Sequence, residues 1–291
     1  MHGILSAYPV VKIRLLGFLI LFSKFVIVRF PYGIIYACKE AAGTNVEFLL
    51  PGMLHERIQV VVLAAGRGER LRPLTDFTPK PLLQIAKKPI LAHTLDVVQD
   101  IAHEIVLVIG YKGEKIWQWL GDEYHGVPIR YVEQKRLGGT AHALSTAAHV
   151  LDNRFLVLMG DDLYHPDDMK RLLEHPWSVL AKEVTKPQNY GVLKKDRQWY
   201  LKEIVENPKN PSVNLVNCGV YVMGREYFAH EPVRIPNGEI GLPQTLVKVA
   251  QSGTPIKVVK ASFWHPIGYP KDLKSAEKML TSKNKNPVKR R

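Results

Sequence analysis

Short apolar runs alternate along the chain with segments in which apolar residues recur every three or four positions. The runs are rich in Val, Ile and Leu and show little polar alternation, which is typical of strands buried on both faces. In the first part of the chain they predict strands at 58–63, 104–110, 129–133 and 155–159. The amphipathic segments predict helices at 89–100, 114–120, 140–150 and 166–173, with Trp117 and Leu120 on one face of the second helix.

The alternation continues towards the end of the chain. Further strands are predicted at 178–183, 215–223 and 256–259, and helices at 243–251 and 271–280. Elements that alternate in this way predict an α/β fold. We therefore expect one α/β domain over residues 54–281, with a mixed, mostly parallel sheet between helices, followed by a solvated basic tail at 282–291.

The first 53 residues do not fit this pattern. Residues 10–37 are strongly apolar but are interrupted by four cations, and their longest uncharged run is nine residues, whereas a membrane helix needs about 20. A small-residue cleavage site, which a signal peptide needs, is missing after the apolar stretch. Two interpretations remain: a membrane contact through a basic, apolar interfacial segment at 10–37, or a segment 1–53 outside the working protein. We favour the second, with a start at Met53, just before the first predicted strand.

Composition and charge narrow the class of protein. The 291 residues are 46% hydrophobic, as in a globular protein. The formal net charge is +13, but residues 1–55 hold five cations and two anions, and residues 281–291 hold five cations and no anions. The body carries only +5 and has no basic run interleaved with aromatics, so we do not expect nucleic-acid binding.

The chain has two cysteines, Cys38 and Cys218. Cys218 lies inside an apolar predicted strand, which favours an inert buried thiol. Two cysteines in such different contexts support neither a disulfide framework nor a metal cluster. This usage favours a reducing compartment, and we expect a cytoplasmic protein.

The most informative stretch follows the first strand, at residues 58–83. Small residues and glycines at 64–68 allow close approach of a ligand to the backbone. Arg67, Arg70, Arg72 and Lys80 surround them, and prolines at 73, 79 and 81 stiffen the loop. Backbone N–H groups and fixed cations together suit a polyphosphate, so this loop is a candidate nucleotide site.

Two common phosphate motifs are ruled out here. No Gly-Lys-Ser/Thr occurs, which excludes a P-loop, and Leu71 stands where a dinucleotide fingerprint has its third glycine. What remains is G-x-G-x-R-L-x-P-L-T-x-x-x-P-K-P-L-L at 66–83. This stretch resembles the signature of the sugar-1-phosphate nucleotidylyltransferases, and the likeness extends over most of residues 54–281. The resemblance implies a Rossmann-like three-layer sandwich of the glycosyltransferase-A-like kind and a glucose-1-phosphate uridylyl- or thymidylyltransferase type of activity.

Such an enzyme would use an NTP and a sugar 1-phosphate as substrates. In-line displacement at the α-phosphorus needs no covalent nucleophile, so catalysis depends on positioning and on neutralising charge. By resemblance, Arg70 and Lys80 act on the triphosphate and the transferred phosphoryl group. Asp161, at the end of a predicted buried strand, would hold Mg²⁺, and its neighbour Asp162 would point elsewhere.

The residues expected to bind the nucleotide are Leu63, Ala64, Ala65, Gly66, Gly68, Gln134, Gly139 and Thr140, and the base pocket is expected at residues 63–66 and Gln134. The amide of Gln134 can donate and accept at once, which suits the N3–H and O4 edge of uracil or thymine. Its spacing from Gly139 and Thr140 resembles that in uridylyl- and thymidylyltransferases, whereas guanylyltransferases tend to carry Glu there. We therefore favour UTP or dTTP. By resemblance, Gly191, Glu206 and Asn217 would contact the hexose.

Two positions depart from the family pattern. Pro266 stands where relatives carry a second metal carboxylate, and the adjacent His265 is a poor ligand for Mg²⁺. Asn207 stands where many relatives have a lysine, and Lys209 is the nearest replacement. These departures motivate an alternative: a non-catalytic nucleotide-sugar-binding protein that acts as a sensor or regulatory subunit. No hexapeptide repeat follows Leu280, so a second activity is not expected. The sugar and the oligomeric state cannot be read from the sequence.

Overall fold

The computed structural model describes residues 25–30, 33–38, 47–48 and 57–285. The chain divides into two compact units, Met1–Glu56 and Arg57–Arg291. In the first unit, strands β1 (Phe25–Phe30), β2 (Gly33–Cys38) and β3 (Glu47–Phe48) form an antiparallel sheet in that order. The expected membrane contact at 10–37 falls largely outside the described residues. No helix within the described ranges is long and apolar enough to cross a membrane.

The second unit alternates strands with helices. Its strands are β4 (Ile58–Ala64), β5 (Gln84–Ile85), β6 (Lys88–Pro89), β7 (Ala102–Ile109), β8 (Glu123–Tyr124), β9 (Val127–Glu133), β10 (Arg154–Met159), β11 (Leu163–Tyr164), β12 (Ser178–Glu183), β13 (Gly191–Lys195), β14 (Leu201–Glu206), β15 (Leu215–Gly224), β16 (Lys257–Lys260) and β17 (Trp264–His265). Its α-helices are α1 (Ile90–Asp96), α2 (Gly113–Leu120), α3 (Thr140–Ala147), α4 (Pro166–Leu173), α5 (Leu242–Gln251) and α6 (Pro270–Lys285).

One large mixed sheet organises this unit. Its strands follow the order β14-β13-β15-β10-β4-β7-β9-β8, and β12 joins β15 to β16. The four strands β10, β4, β7 and β9 run parallel, while β15 turns antiparallel against β10. All seven residues of β4 are buried, because its two neighbours cover both edges and helices cover both faces.

The core has two main layers, one on each face of the sheet. One layer packs α3 and α5 against the sheet, through side chains such as Leu144 and Leu246. The other packs α1, α2 and α4, through side chains such as Leu95, Ile116 and Met169. Helices on both faces of the sheet make a three-layer α/β sandwich, so the expected fold class is confirmed.

The structure differs from the sequence prediction at several elements: α3 ends at Ala147 instead of 150, and α6 extends to Lys285, into the predicted tail. Helix α1 ends at Asp96 instead of Asp100, because Val98 and Ile101 enter the core from a turn that leads into β7. In α2 the buried residues are Gly113 and Ile116, whereas Trp117 is 51% exposed. Strands β13 and β14 were not predicted. They form a hairpin at one end of the sheet whose exposed residues are charged, so no apolar run marks it in the sequence.

Candidate active site

A cleft opens at the carboxyl ends of the central parallel strands. Strands β4 and β10 end side by side, with Leu63 opposite Met159, and open α/β sheets place their ligands at this edge. The cleft has a volume of about 670 Å³. Its lining comes mainly from the loops after β4 and β9: Leu63, residues 65–71, Lys80, Gln134, Leu137, Gly139, Thr140, Ala143, Met159, Asp161, Glu239 and Gly268.

The loop after β4 folds back on itself through three single turns of 3₁₀ helix, at Glu69–Leu71, Leu74–Asp76 and Lys80–Leu82. Gly68 begins the first turn with φ +65°, and its carbonyl accepts from the hydroxyl of Thr75 at 3.0 Å. A Cβ on Gly68 would lie 3.0 Å from the Cβ of Lys80. Glycine is therefore needed here both for its left-handed backbone and for close approach to the lysine.

A third, smaller hydrophobic core anchors this loop. Leu71 is 1% exposed and packs with Ile85 and Ile90, with Ile267, and with Ala276 of α6. Because Leu71 directly follows Arg70, its burial fixes the backbone from which the arginine extends. The guanidinium of Arg70 lies 5.7 Å from the ring centroid of Tyr269, within cation–π range. Arg70 is exposed but lines the cleft.

Lys80 meets Asp161 in this cleft. The Nζ of Lys80 donates to Oδ2 of Asp161 at 2.6 Å, across 81 residues of sequence. The lysine side chain is 12% exposed and the aspartate side chain 34%. Burial alone would lower the pKa of Lys80, but the carboxylates of Asp161 and Asp162 outweigh it and raise that pKa above its usual value. The ammonium group is therefore charged at neutral pH and is held at the cleft wall.

Asp162 points away from the cleft. One oxygen accepts from Nε1 of Trp264 and the other from the backbone N–H of Ile267, both at 3.0 Å. Desolvation and the neighbouring Asp161 raise the pKa of Asp162 to about 6, although Lys80 and these two donors act in the opposite direction. Asp162 therefore ties the segment 264–267 to the end of β10.

Most of the residues expected to bind the nucleotide line the cleft. Leu63, Ala65, Gly66, Gly68, Gln134, Gly139 and Thr140 all do so. Ala64 does not, because side chains alternate along β4: Leu63 and Ala65 face one core layer and Ala64 faces the other. Gly139 has φ +95°, and a Cβ there would lie 2.5 Å from the carbonyl oxygen of Ile240. Thr140 accepts from the backbone N–H of Leu242, so its hydroxyl ties α3 to α5.

The three residues expected at the hexose come together beside the cleft but outside its lining. Gly191 on β13 pairs with Glu206 on β14, and Val192 pairs with Val216, next to Asn217. Desolvation raises the pKa of the Glu206 carboxyl group. The Asn217 amide already has local partners, since it donates to the hydroxyl of Tyr221 and accepts from the N–H of Gly219. Gly219 packs against Met159, which connects this group to the cleft wall.

Asp161 is the predicted ligand for a divalent cation, and Glu69 and Glu239 also bring carboxylates to the cleft lining. Within the described residues no three His, Cys, Asp or Glu side chains form a metal cluster. The side chain of Pro266 has no ligating atom, and Nε2 of His265 contacts Asp272 and Ser275 on the α6 side. Lys80 contacts only one oxygen of Asp161. A single free carboxylate oxygen fits Mg²⁺, which keeps much of its shell as water and substrate phosphate.

Several cleft residues were not anticipated from the sequence. Met159 is the last residue of the strand predicted at 155–159. Its position at the carboxyl end of a buried strand could have identified it as a cleft residue. Glu239, which lines the cleft from the loop before α5, and Tyr269, which contacts Arg70 beside the cleft lining, come from distant parts of the chain. No local pattern marks them, because tertiary packing alone brings them to the cleft.

Comparison with known proteins identifies the family of this chain. A family model described as nucleotidyl transferase matches residues 59–283. The UTP–glucose-1-phosphate uridylyltransferase AglF of Haloferax volcanii is 37% identical over 234 residues, 77% of this chain and 96% of that protein. The bifunctional protein GlmU of Methanocaldococcus jannaschii is 35% identical over 235 residues, 80% of this chain but only 56% of that protein. The chain thus spans about half the length of this second relative.

Among solved structures, a UDP-glucose pyrophosphorylase complexed with UDP-glucose superposes with a TM-score of 0.70. The two sequences are 22% identical, and the superposition covers 78% of this chain and 99% of the pyrophosphorylase chain. At this identity the likeness concerns the fold alone. The family model and the two relatives confirm the resemblance first noted at residues 66–83. The chain belongs to the nucleotidyl transferase family, among the sugar-1-phosphate nucleotidyltransferases.

Proposed function

We propose that this protein transfers a uridylyl or thymidylyl group from UTP or dTTP to a hexose 1-phosphate and releases pyrophosphate. The observation that carries the proposal is the contact between Lys80 and Asp161 at 2.6 Å, in a cleft that Arg70 and Gln134 also line. This contact brings together a cation that can neutralise phosphate and a carboxylate that can bind a metal ion. UTP with glucose 1-phosphate is the first pair to test, because AglF carries that activity in its name.

The reaction is a single displacement. An oxygen of the sugar phosphate forms a bond to the α-phosphorus of the NTP while the bond from that phosphorus to pyrophosphate breaks. The attacking phosphate is already ionised, so no general base is required. Arg70 and the N–H groups at 66–68 neutralise the β- and γ-phosphates, and Lys80 places its charge on the transferred group. Asp161 would hold Mg²⁺, which would add further neutralising charge at the phosphates.

We assign the remaining roles from the positions of the side chains. Gln134 lies where the base would enter, near Gly139. The group Gly191, Glu206 and Asn217 lies beyond Met159, where the hexose would extend from the α-phosphate. Glu206 accepts from sugar hydroxyls in this arrangement, and Asn217 positions the backbone at Gly219. We place the reaction in the cytoplasm, where nucleoside triphosphates are available.

The test is a matrix of four NTPs against several hexose 1-phosphates, with Mg²⁺, scored by pyrophosphate release. It is run on the full chain and on a chain that begins at Met53. The proposal expects turnover with UTP or dTTP and equal rates from both chains. No turnover with any pair would overturn it.

Pro266 favours one alternative, a protein that binds nucleotide sugars without turning them over. Its side chain supplies no ligand where a second carboxylate would hold the metal. The same matrix separates the two functions when nucleotide-sugar binding is measured alongside. Binding without turnover in the wild type, and turnover in Pro266→Asp, would favour the alternative.

A further inference from the structure

Gln134 lies at the wall of the cleft with its amide orientation fixed from behind. The residue is buried, at 4% exposed. Its Nε2 lies 3.2 Å from the carbonyl oxygen of Gly139. A carbonyl oxygen only accepts, so the amide group that faces it must be the NH₂. Rotating the amide by half a turn would bring two acceptor oxygens together.

The same nitrogen has a second partner, His142 on α3. Nε2 of Gln134 lies 2.9 Å from Nδ1 of His142. Because one N–H already points to Gly139, the other donates to the imidazole, and Nδ1 must be the unprotonated nitrogen. Both donors of the amide are then used inside the protein. Within the described residues Oε1 of Gln134 has no hydrogen-bond partner, and Gln134 lines the cleft.

An amide that presents only its oxygen distinguishes bases by one atom. Uracil and thymine carry N3–H, a donor that this oxygen can accept. Cytosine has an unprotonated N3 at the same place, and two acceptors would then face each other. A site built to pair with one polar group discriminates strongly against an analogue that lacks it. From the sequence, the amide of Gln134 could donate and accept at once; in the structure only its oxygen is available to the base.

We propose that His142 is a positioning residue that locks the amide of Gln134 with its oxygen towards the base, and that this lock selects uracil or thymine against cytosine. The inference rests on the proposed function, since it assigns the base to this part of the cleft. Without the imidazole acceptor, only Gly139 resists rotation of the amide. A rotated Gln134 would present its NH₂ and accept cytosine.

The experiment compares UTP with CTP, two pyrimidine nucleotides that differ only at this edge of the base. Kd is measured for both by calorimetry, and kcat/KM by pyrophosphate release, on the full chain. The variants are His142→Ala, which removes the acceptor, and His142→Asn, whose Oδ1 replaces Nδ1. The matched control is His149→Ala, an exposed histidine just after α3 whose Nδ1 contacts the carbonyl of Thr146.

We expect His142→Ala to reduce the preference for UTP over CTP about tenfold or more. His142→Asn should keep most of the preference, and His149→Ala all of it. A general loss of structure would weaken the binding of UTP and CTP equally and leave the ratio of their Kd values unchanged. An unchanged ratio in His142→Ala would overturn the proposal. Loss of preference in both His142 variants would also overturn it, because the asparagine supplies the acceptor.

The binding measurement separates this inference from the proposed function. A wild-type protein that prefers UTP but does not turn it over would contradict the transfer reaction, while the His142 ratios would still test the lock. A wild-type protein with no preference for UTP over CTP would overturn the lock, whether or not it has activity.

Discussion

The contact between Lys80 and Asp161 should be measurable as a coupling free energy. The perturbation is a double-mutant cycle with Lys80→Met, Asp161→Asn and the double variant. Exposed ion pairs couple by about 0.2–1 kcal/mol, whereas breaking a fully buried pair costs about 3–5 kcal/mol. Lys80 is 12% exposed and Asp161 34%, with 2.6 Å between Nζ and Oδ2. Solvent screening at Asp161 places this pair between the two limits, at about 1.5–3 kcal/mol.

The nearby Asp162 makes the single variants unequal. Lys80→Met leaves two neighbouring carboxylates without their shared cation, since both raise the pKa of that lysine in the wild type. Removing the Asp161 charge as well relieves part of the repulsion. We therefore expect the double variant to be less destabilised than the sum of the single variants.

The assay is urea unfolding of the four proteins at pH 7.5 without nucleotide. Lys194 and Glu203 provide a matched control cycle. Nζ of Lys194 lies 2.8 Å from Oε2 of Glu203, a similar distance, but the two side chains are 48% and 46% exposed. We expect about 0.5 kcal/mol or less for the control. A coupling for Lys80 and Asp161 no larger than the control would refute the view that the cleft holds this pair out of water.

Three further perturbations test the parts that support the cleft. Leu71→Ala should lower the free energy of unfolding by about 2–4 kcal/mol and should reduce kcat/KM, because Arg70 is displaced. Leu71→Met should retain most of the stability and most of kcat/KM. An unchanged kcat/KM in the alanine variant would contradict the anchoring role of Leu71. Gly68→Ala should cost about 1–2 kcal/mol because of its φ of +65°, and should raise KM for the NTP; a stability equal to that of wild type would contradict the strain. Asp162, with its pKa raised to about 6, holds a proton in the folded state that the unfolded chain releases near pH 4. The resulting stabilisation is complete below about pH 4 and is lost as pH rises through 6. The free energy of unfolding in urea, compared between wild type and Asp162→Asn, should therefore shift by on the order of 2 kcal/mol against wild type between pH 4.5 and 7.5. A difference that stays constant with pH would contradict this.

Local sequence patterns predict those parts of the molecule that local forces determine. The apolar run at 58–63 predicts a buried strand, and acidic residues in the first turn fit the helix predicted at 166–173; the structure has both elements, as β4 and α4. The loop at 66–83 was recognisable because glycines and cations occur there at fixed spacing. In each case the residues that specify the feature are neighbours in the chain.

Features that depend on distant residues could not be predicted. The exposed position of Trp117 and the side of β4 on which Ala64 lies follow from how helices pack on the sheet. The acceptor-only role of Gln134 depends on His142, whose ring reaches it only when α3 is folded. The hairpin of β13 and the edge strand β14 carries no long apolar run, because charged and partly exposed residues interrupt both strands.

The most direct test of the central claim is the formation of pyrophosphate and UDP-glucose from UTP and glucose 1-phosphate, measured in wild type, Arg70→Ala and Lys80→Met with UTP binding followed in parallel. We expect equimolar products from wild type and a fall in kcat of about 10²–10³ in Lys80→Met, while UTP still binds. Equal turnover in wild type and Lys80→Met would contradict it.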